Sequence, residues 1–225
     1  MNDAEPGSIR RVAATVHGRT LVDGPGEGAR RRWLVGFHGY AQNAPIMLDL
    51  LRQVPRAGGW LLVSVEALHP FYNRADEVVA NWMTRQDRDQ AIADNIAYVD
   101  AVVADLERTY GAPESLVFAG FSQGVAMAYR AGVAGRRAGD AILAVAGDVP
   151  PEFKTTDRRW PPVRIVVGTR EHWYTADRMQ ADVAFLRSAG ADVRATTFEG
   201  GHDWTPQVNE AAGELLEEVA ARPAR

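Results

Sequence analysis

The chain has 225 residues, of which 46% are hydrophobic and 24% are charged, a composition typical of folded globular proteins rather than disordered ones. Its 25 basic and 29 acidic side chains give a formal net charge of −4 at pH 7, so it lacks the positive surface that nucleic-acid binding needs. The absence of cysteine excludes disulfides, thiolate metal sites, iron–sulfur clusters and a cysteine nucleophile.

The length is that of one domain, and we expect residues 1–225 to form a single domain. The N-terminus has no basic segment followed by an apolar run, so no secretory signal is expected. No stretch approaches the roughly 18 apolar residues of a membrane span. The sequence therefore predicts a cytoplasmic protein. A homodimer is compatible with the sequence but is not indicated by it.

Short apolar runs rich in β-branched residues predict the strands. Residues 9–22 predict one or two edge strands, and residues 23–32 predict a polar loop. Six further runs are continuously apolar, which indicates strands that are covered on both faces of a sheet. These runs lie at residues 33–37, 60–65, 115–120, 141–146, 163–168 and 193–198.

Helical patterns lie between these runs. Residues 87–109 carry apolar side chains at steps of three and four, and residues 123–134, 175–189 and 206–221 also predict helices. Strands that alternate with helices predict an α/β fold with a mostly parallel central sheet and helices on both faces. In such sheets ligands bind beyond the carboxyl ends of the strands, so chemistry is expected there.

The strand at 115–120 ends in Gly120-Phe121-Ser122-Gln123-Gly124 and leads directly into a helix. This is the G-x-S-x-G pattern in a strand–turn–helix setting. Such a turn lifts the Ser122 hydroxyl away from the sheet, and it directs the Gln123 backbone N–H at a developing oxyanion. The alternative is a serine in a tight structural turn. The pattern predicts Ser122 as a nucleophile and Gln123 as an oxyanion donor.

A serine hydroxyl becomes a good nucleophile when a neutral imidazole accepts its proton. Of the five histidines, only His202 follows the last predicted strand, as the chain order serine, acid, histidine requires. The acid should lie between serine and histidine, at the end of a strand. Glu171 is the first candidate and Asp148 is the alternative. Either carboxylate would orient the imidazole.

The strand at 33–37 is followed by His38-Gly39-Tyr40, and the backbone N–H of Tyr40 is the predicted second oxyanion donor. His38 is expected to be a structural hydrogen-bonding residue. No His-x-x-x-His or His-Glu-x-x-His spacing occurs, so the sequence does not predict a metal site.

Four motifs together resemble the phospholipase/carboxylesterase family of α/β-hydrolases, which includes the acyl-protein thioesterases. They are FHGYAQN at 37–43, GFSQG at 120–124, GTRE at 168–171 and GGHDW at 200–204. The resemblance extends over about residues 33–220. It implies an α/β-hydrolase fold without a large cap domain, no cofactor, and hydrolysis of carboxylic esters or thioesters.

The resemblance also implies residue roles: Ser122 as nucleophile, Glu171 as acid and His202 as base. The chain departs from the family at two positions. Family members usually carry aspartate where this chain has Glu171, and they commonly have a second glycine where it has Val125.

Apolar and aromatic side chains on the loops near the predicted site favour a narrow pocket for short-chain or aromatic acyl groups. Trp82 stands where the family places a tryptophan that lines the acyl site. The alternative is that some of these side chains only pack loops onto the sheet. The predicted pocket residues are Phe71, Tyr72, Trp82, Met83, Trp173 and Trp204.

The sequence therefore predicts a serine hydrolase that cleaves small-molecule carboxylic esters through an acyl-enzyme intermediate. One alternative keeps the same three residues in a thioesterase, a lysophospholipase or a small peptidase. Another is a hydrolase fold that has lost its activity and serves as a binding module.

Overall fold

The computed structural model describes residues 9–24, 32–155 and 158–222. Nine strands lie in this part of the chain. They are β1 (Thr20–Asp23), β2 (Arg32–Phe37), β3 (Leu61–Val65), β4 (His69–Tyr72), β5 (Val78–Asn81), β6 (Ser115–Phe121), β7 (Ala141–Val145), β8 (Val163–Gly168) and β9 (Val193–Phe198). Seven of them form the central sheet in the order β1-β3-β2-β6-β7-β8-β9, and β4 and β5 form a separate hairpin.

The central sheet is parallel apart from its first strand. Strand β1 is antiparallel to β3, with Thr20 opposite Val65. The other five neighbouring pairs are parallel. The predicted mostly parallel α/β sheet is therefore confirmed.

Five α-helices of the described ranges flank this sheet. They are α1 (Ala44–Arg52), α2 (Arg88–Tyr110), α3 (Gln123–Tyr129), α4 (Ala176–Ser188) and α5 (Pro206–Ala220). A π-helical turn, Arg130–Ala134, continues α3, and short 3₁₀ turns occupy Ala57–Gly59 and Pro151–Phe153. Within the described ranges, no helix is both long enough and apolar enough to cross a membrane.

Two hydrophobic cores lie on opposite faces of the sheet. Successive side chains of a strand point to opposite faces. Trp33 and Phe37 of β2 therefore join the core that α2, α3 and α4 cover, whereas Leu34 joins the core that α1 and α5 cover. Burial on both faces explains why the central strands are continuously apolar in sequence.

The structure differs from the predicted elements at three places. Residues 9–19 form no strand, so the edge strand is only Thr20–Asp23. Strand β9 is at the sheet edge, and its four inner residues are exposed, so the prediction that it is covered on both faces is wrong. Helix α1 and the β4–β5 hairpin have no counterpart among the predicted elements.

Very close packing joins the β6–α3 turn to the end of β2. A Cβ atom at Gly124 would lie 2.1 Å from the carbonyl oxygen of Phe37. A Cβ atom at Gly120 would lie 2.4 Å from the carbonyl oxygen of Gly124. Because both contacts are with backbone atoms, no side-chain movement could make room for a methyl group. The two glycines therefore allow α3 to begin directly against the sheet.

The Gly124→Ala variant should test this packing. We expect it to lose roughly 3 kcal/mol or more of unfolding free energy, because the backbone of β2 or α3 must move. Gly58→Ala is the matched control, since nothing lies within 4 Å of its Cβ position, and it should stay within about 0.5 kcal/mol of the parent. Urea unfolding followed by circular dichroism measures both. Equal stabilities of the two variants would contradict the packing argument.

Candidate active site

Ser122 lies in a strained turn between β6 and α3. Its backbone has φ of 53° and ψ of −119°, a conformation that costs a non-glycine residue about 1–3 kcal/mol. The Ser122 N–H donates to the Val145 carbonyl at the end of β7, over 2.9 Å. This hydrogen bond and the close glycine packing hold the turn at the carboxyl edge of the sheet, where the side chain of Ser122 is partly exposed.

Glu171 and His202 are in direct contact at the same edge. Glu171 follows β8 and His202 follows β9, and Glu171 Oε2 lies 2.5 Å from His202 Nδ1. The Glu171 side chain is 1% exposed, whereas the His202 side chain is 28% exposed. The two loops are joined by the Arg170 N–H, which donates to the Gly200 carbonyl over 2.8 Å. Pairing of neighbouring parallel strands thus brings together two residues that are 31 positions apart.

The carboxyl of Glu171 is held in its ionised form. Burial alone would raise its pKa, but hydrogen bonds from the Trp173 N–H, at 2.7 Å, and from His202 outweigh burial. The pKa of Glu171 therefore lies below its ordinary value. An ionised carboxylate at this position can hold a proton on Nδ1 of His202 and stabilise the imidazolium.

His202 lies next to the turn that carries Ser122. Its ring centroid is 5.0 Å from the ring centroid of Phe121, the residue before Ser122. Within the described residues, no hydrogen bond joins the Ser122 hydroxyl to His202. The structure thus brings Glu171 and His202 into contact, next to the residue that precedes Ser122.

Asp148, the alternative acid, has a different partner. Its carboxylate lies 3.4 Å from the guanidinium of Arg178 on α4, and its side chain is 49% exposed. Glu171 rather than Asp148 holds the imidazole of His202 in this structure.

The two predicted oxyanion donors lie on adjacent segments. A Cβ atom at Gly39 would lie 3.2 Å from Cβ of Ser122, so the loop that contains Tyr40 is directly against the serine. Neither the Tyr40 N–H nor the Gln123 N–H donates to a protein acceptor in the described part of the chain. Gln123 is the first residue of α3, where backbone N–H groups have no partner within the helix.

Trp82 lies in the protein interior. Its side chain is fully buried, its indole N–H donates to the His38 carbonyl over 2.9 Å, and its ring lies edge-on to Phe37. This placement corrects the prediction that Trp82 lines a pocket open to substrate. Trp82 instead packs the segment after β5 onto the sheet.

The other predicted pocket residues are spread along the edge of the sheet. Met83 borders a cavity of about 370 Å³ that is lined by both apolar and polar surface and includes two aspartates. Phe71 is partly buried and stacks on Tyr40, whereas Tyr72 and Trp173 are 69% and 75% exposed. Trp204 donates from its indole nitrogen to Asn209 over 2.6 Å.

His38 has the structural role expected of it. The ring is fully buried, its Nδ1 lies 2.8 Å from the Gly39 carbonyl, and its Nε2 accepts the Ala67 N–H over 3.1 Å. Burial lowers the pKa of His38, which keeps the ring neutral. In the described residues, no three His, Asp or Glu side chains converge in the way that metal binding requires.

The loop that carries Glu171 is held in place by a hydrogen-bond network that no sequence motif reveals. The Tyr174 hydroxyl donates to the buried carboxylate of Asp182 on α4, over 3.2 Å. Asp182 also accepts from the Val149 N–H and from Lys154. A tyrosine three residues after the acid, followed by a helical aspartate, is too common a pattern to identify this network in advance.

Neither a protein-family model nor a curated protein matches the sequence. Solved structures do match the fold. Esterase PE8 superposes with a TM-score of 0.73 at 22% identity, covering 91% of this chain and 100% of its own. A phospholipase/carboxylesterase from Dyadobacter fermentans gives 0.69 at 21% identity, covering 92% and 100%. Acyl-protein thioesterase 2 of Zea mays gives 0.65 at 16% identity, covering 91% and 99%.

These similarities establish the α/β-hydrolase fold, which confirms the predicted fold class.

The lowered pKa of Glu171 predicts a pH-dependent contribution to stability. Because the folded state favours the ionised carboxylate, the unfolded chain binds the extra proton as the pH falls. Glu171→Gln should therefore be less stable than the parent at pH 7. The difference should shrink as the pH falls below about 4.3, the ordinary value for a glutamate, and through the lower pKa of the folded state.

Chemical denaturation of both proteins between pH 7 and pH 3 measures this difference. Asp203→Asn is the control, because Asp203 is an exposed carboxyl beside His202, and its unfolding free energy should stay within about 0.5 kcal/mol of the parent. A difference for Glu171→Gln that stays constant with pH would contradict the electrostatic explanation.

Proposed function

We propose that this protein is a serine hydrolase of the phospholipase/carboxylesterase type, which cleaves carboxylic esters through an acyl-enzyme intermediate. The observation that carries the proposal is the contact between the Glu171 carboxylate and the His202 imidazole, beside a strained serine at the end of a parallel strand. All three side chains follow strand ends at one edge of the sheet, where α/β enzymes have their active sites.

In the proposed mechanism, the Ser122 hydroxyl attacks the ester carbonyl while His202 accepts its proton. Glu171 keeps the Nδ1–H tautomer of His202 and stabilises the imidazolium. The Tyr40 and Gln123 N–H groups donate to the oxyanion of the tetrahedral intermediate. His202 then gives its proton to the leaving alcohol. Water, deprotonated by His202, attacks the acyl-enzyme, releasing the acid and restoring the Ser122 hydroxyl.

The proposal requires Ser122 and His202 to form a hydrogen bond when substrate is bound. Such contacts are often long without substrate and tighten during the reaction. The His202 ring is partly exposed, whereas the Glu171 side chain that holds it is buried. The ring of His202 lies 5.0 Å, centroid to centroid, from Phe121, the residue directly before Ser122, which supports this requirement.

The structural neighbours support an ester as the substrate class, since they include proteins named as an esterase and a phospholipase/carboxylesterase. The maize neighbour is named as an acyl-protein thioesterase, which makes a thioester the second candidate substrate. The same three residues would serve both reactions, because only the leaving group differs. Rates with an oxygen ester and a thioester of the same acyl group distinguish the two.

Ser122→Ala should abolish ester hydrolysis, lowering kcat roughly ten-thousand-fold or more, because the acyl-enzyme cannot form. It should also abolish covalent labelling by a fluorophosphonate, which intact-protein mass spectrometry detects. Ser188→Ala, at an exposed serine of α4, is the matched control and should keep both properties.

Stoichiometric labelling of the Ser122→Ala variant would show that another residue is the nucleophile. A folded parent protein that neither hydrolyses activated esters nor reacts with the fluorophosphonate would instead favour a binding module.

We further propose that the enzyme prefers short-chain or aromatic acyl groups. The stacking of Tyr40 on Phe71 supports this preference, because it places aromatic surface at the loop that lies against Ser122. In a p-nitrophenyl ester series, kcat/KM for acetate or butyrate should exceed that for octanoate at least about tenfold. A faster reaction with octanoate or palmitate would contradict this preference.

A further inference from the structure

The two oxyanion donors of the proposed enzyme belong to different parts of the chain. Tyr40 lies in the loop after β2, and Gln123 lies at the start of α3. One oxyanion can be stabilised by both N–H groups only if their separation is fixed closely, since donors must lie about 2.7–3.1 Å from the oxygen. The structure contains a third segment, residues 80–83, that contacts both. We call it the bridging segment.

The bridging segment is bonded to the Tyr40 loop by three hydrogen bonds. The Ala41 N–H donates to the Ala80 carbonyl over 3.1 Å, and the Ala80 N–H donates to the Gln42 carbonyl over 2.7 Å. The indole N–H of Trp82 donates to the carbonyl of His38 over 2.9 Å. These bonds lie on both sides of Tyr40 in the sequence, so they fix its backbone.

The side chain of Gln123 bonds the same segment to the serine turn. Its Oε1 accepts the Trp82 N–H over 3.0 Å. Its Nε2 donates to Asn81 Oδ1 over 2.8 Å and to the Met83 carbonyl over 3.0 Å. Because Trp82 offers a donor and Met83 an acceptor, only one orientation of the carboxamide satisfies all these partners.

Asn81 is buried and is itself held in place. Its Oδ1, which accepts from Gln123, also accepts the Met83 N–H over 3.2 Å. This oxygen therefore joins the backbone of the bridging segment to the side chain of Gln123. Asn95 of α2 donates to the Trp82 carbonyl over 2.8 Å. Helix α2 therefore also holds the bridging segment in place, so that the segment can fix the positions of both oxyanion donors.

We propose that the carboxamide of Gln123 is a positioning residue, which fixes the distance between the Tyr40 and Gln123 N–H groups through the bridging segment. This inference rests on the proposed function, since it assigns the side chain a task in the same oxyanion hole. The backbone of Gln123 contacts the oxyanion, whereas its side chain acts at a distance by holding that backbone in register with Tyr40.

Gln123→Met tests the proposal, because methionine has a similar volume but cannot form the three hydrogen bonds. We expect kcat to fall about 10–100-fold, as a small displacement of a catalytic donor causes, while KM changes less than about threefold. Inhibition by phenylboronic acid, whose tetrahedral adduct with Ser122 resembles the transition state, should weaken by the same factor as kcat/KM falls. A defect that only destabilised the fold would not make kcat/KM and the affinity for phenylboronic acid fall by the same factor.

Gln53→Met is the matched control, because Gln53 is exposed after α1 and its side chain donates only to the Asp49 carbonyl among the described residues. This variant should leave kcat unchanged. If Gln123→Met does not fold, Gln123→Glu replaces it, since glutamate keeps the acceptor for Trp82 but removes both donors. Asn81→Leu should lower kcat too. The double variant Asn81→Leu/Gln123→Met should have nearly the same kcat as Gln123→Met alone, because both substitutions break the same hydrogen-bond network.

The proposal is overturned if the folded Gln123 variant retains kcat and boronate affinity within about twofold of the parent. It is also overturned if the loss is confined to KM, or if the effects of the Asn81 and Gln123 substitutions multiply as independent changes would. The proposed function is tested separately, by hydrolysis with the parent protein and its loss in Ser122→Ala. A negative result for the Gln123 variants therefore leaves the proposed function unaffected.

Discussion

The contact between Gly124 and the end of β2 is the constraint on which the site depends. It places the first turn of α3 directly against the Phe37 carbonyl, at a distance that no side chain would permit. The serine turn and the Tyr40 loop consequently become neighbours, although they are about 80 residues apart. The strained backbone of Ser122 is maintained because β6, β7 and α3 are all fixed around it. Packing of the fold thus stabilises a conformation that the local sequence disfavours.

Parallel pairing in the sheet completes the arrangement. Strands β8 and β9 are adjacent, so the loops that follow them emerge side by side and bring Glu171 to His202. Burial would discourage an isolated carboxylate in this position, but the Trp173 N–H and the imidazole compensate for the lost water. The partly exposed imidazole lies next to Phe121 of the serine turn, where the proposed reaction needs a base. Fold topology and local hydrogen bonding therefore act together to produce the proposed site.

Much of this organisation could be predicted from the sequence, because buried parallel strands and amphipathic helices have strong patterns. The elements around Ser122, Glu171 and His202 were predictable for that reason. Helix α1 and the β4–β5 hairpin were not, since they are short and the hairpin strand His69–Tyr72 is largely exposed. Trp82 was assigned to the pocket because aromatic residues on loops suit both ligand contact and packing. Only coordinates show that its indole N–H bonds to the His38 carbonyl.

The Glu171 side chain is one methylene longer than that of an aspartate, and the loop that carries it positions its carboxylate. Its two oxygens have separate tasks, since Oε2 contacts His202 and Oε1 accepts the Trp173 N–H. The second hydrogen bond comes from two residues further along the chain, so it holds the carboxylate against the turn that carries it. This turn is itself held in place by Tyr174, whose hydroxyl donates to the buried carboxylate of Asp182. The position of the carboxylate is therefore set by the loop and by α4, rather than by the length of the side chain alone.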